Sequence, residues 1–101
     1  PNLTLRQALD RAAGGIGDRF RDRPAVEAAV RRTIGDAYRG IGRPDAAVPH
    51  LERAVRLLTD LYGPTRLETL AAMNSLGTAY QNAGNTERAI AVLTEHLDRQ
   101  R

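Results

Sequence analysis

Slid against itself by 42 positions, the chain lays Gly35 on Gly77, Ala37 on Ala79, Tyr38 on Tyr80, Gly42 on Gly84, Ala47 on Ala89 and Leu51 on Leu93. An internal repeat constrains a short chain more than its composition does, because each copy must take the same local structure and bury its apolar face on the next. The matched residues alternate small and large, as two packed helices require at a crossing and beside it. The stretch LETLAAMNSLGTAYQNAGNTERAIAVL, residues 67–93, therefore owes its spacing to packing. It holds no paired carboxylates, ligand cluster or activated nucleophile.

Within each copy the apolar residues recur at three and four, the stripe of an amphipathic helix. Val26, Val30, Ile34, Ala37, Tyr38 and Ile41 form one stripe, opened by Pro24 and closed by Gly40 and Gly42. Pro44 opens a second, with Ala47, Leu51, Ala54, Val55, Leu58 and Leu61 on one face, and Gly63-Pro64 ends it. Thr65 with Glu68 reads as a capping box for a third helix carrying Leu70, Met73, Leu76, Gly77, Ala79 and Tyr80. Gly84 stops that helix, and Asn85 caps a fourth through Ala89, Ile90, Leu93 and Leu97. Upstream, Thr4 with Gln7 offers another capping box to a stripe of Leu5, Leu9, Ala12, Ile16 and Phe20. Gly14, Gly15 and Gly17 each cost about 0.8–1 kcal/mol inside a helix, so a break near Gly14-Gly15 is expected. The pattern predicts an all-α chain of about five helices, arranged as antiparallel helix-turn-helix repeats in one structural unit. A packing helix occupies 1–23, one repeat 24–64 and a second repeat 65–101.

Composition sets outer limits. With 101 residues and 42% hydrophobic content the chain buries one modest core. No apolar run has the length of a membrane span or a secretory core, so this segment is read as making no membrane contact. An opening on Pro1 reads as a piece of a longer protein. Cysteine is absent, which excludes disulfide frameworks and thiolate chemistry. All fifteen basic residues are Arg, a bias that points to a GC-rich bacterial source. The net charge of +3 is uneven: residues 1–43 hold nine Arg against five acids, and 44–101 hold six against seven. Nucleic-acid binding asks for a dense basic stripe or stacking aromatics. Here Asp10, Asp18, Asp22 and Glu27 interleave with the arginines, and the four aromatic residues are scattered. The basic half reads as a solvated helical surface, with no nucleic-acid partner.

The two copies read Ile34-Gly35-x-x-Tyr38 then Ala47-x-x-x-Leu51, and Leu76-Gly77-x-x-Tyr80 then Ala89-x-x-x-Leu93. This pattern resembles the tetratricopeptide repeat. Its period of 42 is long for that family and resembles the kinesin-light-chain type and its bacterial relatives, through AVPHLERAV (47–55) and LYGPTRLETLAAMNSLGTAY (61–80). Arg31 and Met73 stand where the family usually has an aromatic residue. The stretch LTLRQALDRAAGGIGDRFRDRPAVEAAVRRTIGDAYRGIG (3–42) is similar to segments that introduce such repeats in large bacterial signalling proteins, serine/threonine kinases among them. The chain itself has no Gly-rich phosphate loop, no Lys and no His-Arg-Asp signature.

The resemblance implies a short right-handed solenoid acting as a protein-protein interaction module, with a peptide or partner protein held on its concave helical face. The alternative is a non-catalytic regulatory region of a larger bacterial signalling protein such as a serine/threonine kinase. Groove positions carried over from the family fall on Arg32, Asp36 and Arg39 in the first repeat, and on Asn74, Ser75, Thr78, Gln81 and Asn82 in the second. An amide at Asn74 can hold peptide main chain by donating and accepting together. Arg32 and Arg39 favour an acidic partner.

Other candidate chemistry is thin. His50 and His96 lie on different helices without ligand spacing, so no metal is expected. Asp36, between Arg32 and Arg39, reads as an intrahelical ion pair. Gly14, Gly15 and Gly17 lack the preceding strand of a phosphate loop. The chain is therefore read as a non-enzyme without cofactor. On the last helix Ile90, Val92, Leu93 and Leu97 make an apolar stripe, which predicts self-association or fraying there.

Overall fold

Glycine and proline punctuate six helices in the computed structural model, which describes residues 4–100: α1 (Leu5–Ala13), α2 (Ile16–Arg19), α3 (Pro24–Gly40), α4 (Pro44–Tyr62), α5 (Leu67–Asn82) and α6 (Thr86–Arg99). No strand occurs among the described residues. The expected first helix is two, because the chain turns at Gly14 and passes through Gly15 in the left-handed region at φ 76° before Ile16 restarts it. The Thr4–Gln7 capping box forms, with the Gln7 amide donating to Thr4 Oγ1 at 3.1 Å and the Thr4 amide to Gln7 Oε1 at 2.9 Å.

The two helix-turn-helix joints share one construction. After α3, the Arg43 amide donates to the Tyr38 carbonyl at 2.8 Å and the Gly42 amide to Arg39 at 3.1 Å. After α5, the Asn85 amide donates to the Tyr80 carbonyl at 2.9 Å and the Gly84 amide to Gln81 at 3.1 Å. Both are Schellman closures, and both need a left-handed residue, supplied by Gly42 at φ 79° and Gly84 at φ 80°. Pro24 and Pro44 open α3 and α4 in the first turn, where the missing N–H costs nothing. Pro49 lies inside α4 on an exposed position.

The expected Thr65–Glu68 capping box does not form. Gly63, at φ 91°, sends the chain out of α4, and the turn uses the next three residues, so α5 starts at Leu67 with Arg66 as its N-cap. Glu68 instead faces Arg66 at 3.6 Å, and the fully buried Thr69 anchors the turn by donating to the Gly63 carbonyl at 3.0 Å.

α3 packs against α4, α4 against α5 and α5 against α6, while α3 also touches α5, and α1 and α2 lie on α3. The Cα envelope is only 15 Å in its thinnest direction against 50 Å in its longest. That is two helical layers and no more, the section of a short helical-repeat solenoid. Ile34, Tyr38, Leu51, Leu76 and Tyr80 join Ile16, Ala47, Ala79 and Ala89 in the main core, and Ala28, Leu57, Leu58 and Ala72 form a second cluster. Gly35 and Gly77 set the helix pairs in register: a Cβ on Gly35 would lie 2.7 Å from Leu51 Cγ, and one on Gly77 2.8 Å from Leu93 Cδ2.

Candidate functional site

α3 and α5 are the first helices of the two pairs, and every groove position expected from the sequence lies on them. Arg32, Asp36 and Arg39 recur at four and three on α3 and hold one another loosely. Arg32 Nε is 3.9 Å from Asp36 Oδ2, and Arg39 Nη2 is 3.5 Å from Asp36 Oδ1. Neither contact is a hydrogen bond: Arg32 Nε, Arg39 Nε and Asp36 Oδ1 are buried atoms held by charge alone. Surface pairs of this kind contribute little to stability, so they do not explain the residues by themselves.

On α5, Asn74 is exposed and its side chain makes no hydrogen bond within the described residues. Its carbonyl accepts from Thr78 Oγ1 at 3.0 Å, which turns the Thr78 hydroxyl back onto its own helix. Gln81 and Asn82 are exposed at the end of the helix. Ser75 differs from expectation: it is 6% exposed, so it packs between helices and is not offered to a ligand.

Beside Arg32 the structure opens a cavity of about 240 Å³ that the sequence reading did not anticipate. Ala25, Ala28, Ala29 and Leu58 line it with apolar side chains, together with Arg32, Tyr62 and Glu68. Small residues on α3 create the space, because three alanines stand where longer chains would meet α4 and α5. The Arg66 guanidinium lies 5.1 Å over the Tyr62 ring, which holds that aromatic wall in place. The alanine run at 25, 28 and 29 is the one signal in the sequence that could have marked this cavity.

A second polar group is buried below α3 and α4. Glu27, 4% exposed, accepts from Arg31 Nε at 2.7 Å and from Arg53 Nε at 3.4 Å. Arg31 Nη1 also lies 3.2 Å from His50 Nδ1. A guanidinium can only donate, so Nδ1 accepts and His50 carries its proton on Nε2. Burial, reinforced by the Arg31 charge, pushes the His50 pKa below its ordinary value. The ring stacks on Tyr38 with centroids 5.9 Å apart and planes 11° from parallel. The Tyr38 hydroxyl donates to Asp10, and that of Tyr80 to Glu52. Burial, then the carboxylate partner, raises the Tyr38 pKa to about 12. Arg31 thus completes a satisfied network at a position where the second repeat has the apolar Met73.

Among the described residues no group of three His, Cys, Asp or Glu side chains is placed to hold a metal, and no helix is long and apolar enough to cross a membrane. Helix pairs in regular register, with polar side chains along the first helix of each, define a helical-repeat protein of the kind that presents surfaces to other proteins. Residues 26–101 match the tetratricopeptide repeat family, and the chain belongs to it. Repeats of this family generally mediate protein-protein interaction. No curated protein and no solved structure matches the chain.

Proposed function

We propose that the chain is an interaction module that takes an acidic peptide segment along the α3 and α5 face. The observation that carries this reading is the apolar cavity with the partly exposed side chains of Arg32 and Arg39 on the same helix. The cavity has room for one apolar side chain, Arg32 in its lining can pair with a carboxylate of the peptide, and Arg39 continues the positive line along α3. Asn74 on the neighbouring helix is free to hold peptide main chain. An arginine pairs with a carboxylate through a fixed fork, so the interaction has direction as well as charge.

The test is a titration of the chain with two peptides that share an apolar anchor, one flanked by Glu and one by Lys. The Glu peptide is expected to bind at least tenfold more tightly, and Arg32→Glu to remove that preference while leaving the melting temperature within a few degrees. Equal binding of the two peptides, or an Arg32→Glu variant that keeps the preference, would rule the reading out.

A further inference from the structure

The 42-residue correspondence continues upstream of the two repeats. It lays Leu9 on Leu51, Asp10 on Glu52, Ala12 on Ala54 and Ile16 on Leu58. The structure repeats the contact as well as the letters: Tyr38 donates to Asp10 as Tyr80 donates to Glu52. By this correspondence α1 and the start of α2 stand toward α3 as α4 stands toward α5.

The equivalence breaks on one side only. Ala47 and Ala54 are fully buried in α4, whereas their counterparts Leu5, 62% exposed, and Ala12 face outward on α1. α3 shows the same break. Ala72 is fully buried and Ser75 is 6% exposed on α5, while the counterparts Val30 and Thr33 are half-buried and exposed. Ala29, Val30, Thr33 and Ile34 line an open groove of about 230 Å³ on that side. One neighbour accounts for both breaks. In the observed repeat α3 covers α4 and α5 together, so a helix shifted one repeat back would cover α1 and α3 together.

We propose that the surface formed by Leu5, Leu9 and Ala12 of α1 with the Ala29–Ile34 groove of α3 is a docking site for one amphipathic helix of the α3 type. Such a helix sets a glycine against Leu9, as Gly35 is set against Leu51, with a large apolar residue before it and an aromatic three positions after. The chemistry required is the Ile34-Gly35-x-x-Tyr38 stripe itself. The site shares Ala29 with the cavity at Arg32 but none of the polar side chains of the peptide reading above, and does not depend on that reading.

The chain offers its own probe, because a copy of residues 24–42 joined directly ahead of Pro1 reproduces the 42-residue register. The chain has no cysteine, so single substitutions report exposure by their rate of reaction with a thiol reagent. Ala12→Cys and Thr33→Cys are expected to react readily in the 101-residue chain and at least tenfold more slowly once the extra helix is attached. Asn74→Cys is expected to react equally in both. Placing Leu at the copied glycine is expected to restore the fast rates, which separates docking from mere proximity. Unchanged rates at positions 12 and 33 in the extended chain would overturn the proposal. So would protection of these positions in the unextended chain that grows with its concentration, since a second copy would then be the occupant.

Discussion

Gly35 and Gly77 occupy equivalent positions, yet their surroundings differ. A side chain at 35 meets Leu51 Cγ and Cδ2 at 2.7 and 2.8 Å, and Leu51 is fully buried with nowhere to move. At 77 it meets Leu93, a half-buried residue on the outer helix that can give way. Both Gly→Leu substitutions are expected to overpack the crossing by about 1–3 kcal/mol. Gly35→Leu is expected to cost more than Gly77→Leu in urea or thermal unfolding, and the reverse order would mean that α6 is held more rigidly than its exposure implies. His50 supplies a pH dependence whose sign follows from its lowered folded pKa. The unfolded chain takes up the proton near pH 6.5 and the folded chain only below that. The stability from keeping His50 neutral is therefore complete above that value and is lost as the pH falls through it. Unfolding midpoints measured from pH 7.5 down to 5 are expected to fall, and His50→Phe, which keeps a ring against Tyr38, to flatten the decline. An equally steep decline in that variant would assign the effect to other groups.

At the scale of the helix, start and stop signals were read correctly wherever a single residue does the work. Asn85 caps α6 by accepting from the Arg88 amide at 3.2 Å, and Pro24 and Pro44 open their helices. The Thr65–Glu68 signature failed because a cap depends on which residue the preceding turn delivers to the N-cap position. The expected apolar stripe on α6 divides in two: Leu93 and Val92 lean onto Gly77, while Ile90 and Leu97 are 60% and 61% exposed. The Val55 counterpart of Leu97 packs against the core between α4 and α5, so Leu97 stands where the repeat ordinarily has cover. Self-association through α6 is expected, seen as a sedimentation coefficient that rises with concentration and stops rising in an Ile90→Glu, Leu97→Glu double variant. A chain that is monomeric at every concentration would leave this face to some other use.

At the scale of the whole molecule, a slab two helices thick cannot hide a deep core, and stability rests on repeated helix crossings. Two different kinds of join hold the layers. The second repeat is closed by apolar contacts around Leu76, Ala79 and Tyr80, whereas the first adds the buried Glu27, Arg31 and His50 network. Removing one member of such a network leaves a buried charge without its partner, which gives the first repeat its own sensitivity to substitution. The basic excess of residues 1–43 falls on the same half as Arg32 and Arg39, so the two ends of the slab differ in charge.

What the sequence determined by itself was periodic: helix type, the 42-residue register, the glycines at the crossings and the assignment to a helical-repeat family. Each of these is written by residues close together in the chain or by a direct copy of them. Tertiary structure decided what depends on two elements meeting. It buried Ser75, which the family resemblance places in the groove, because α5 is covered on a side that the equivalent Thr33 of α3 leaves open. It also made Arg31 a packed residue by bringing Glu27 and His50 to the same guanidinium from two helices. The cavity at Arg32 arises in the same way, from alanines that are unremarkable in one helix and leave a space only where three helices converge.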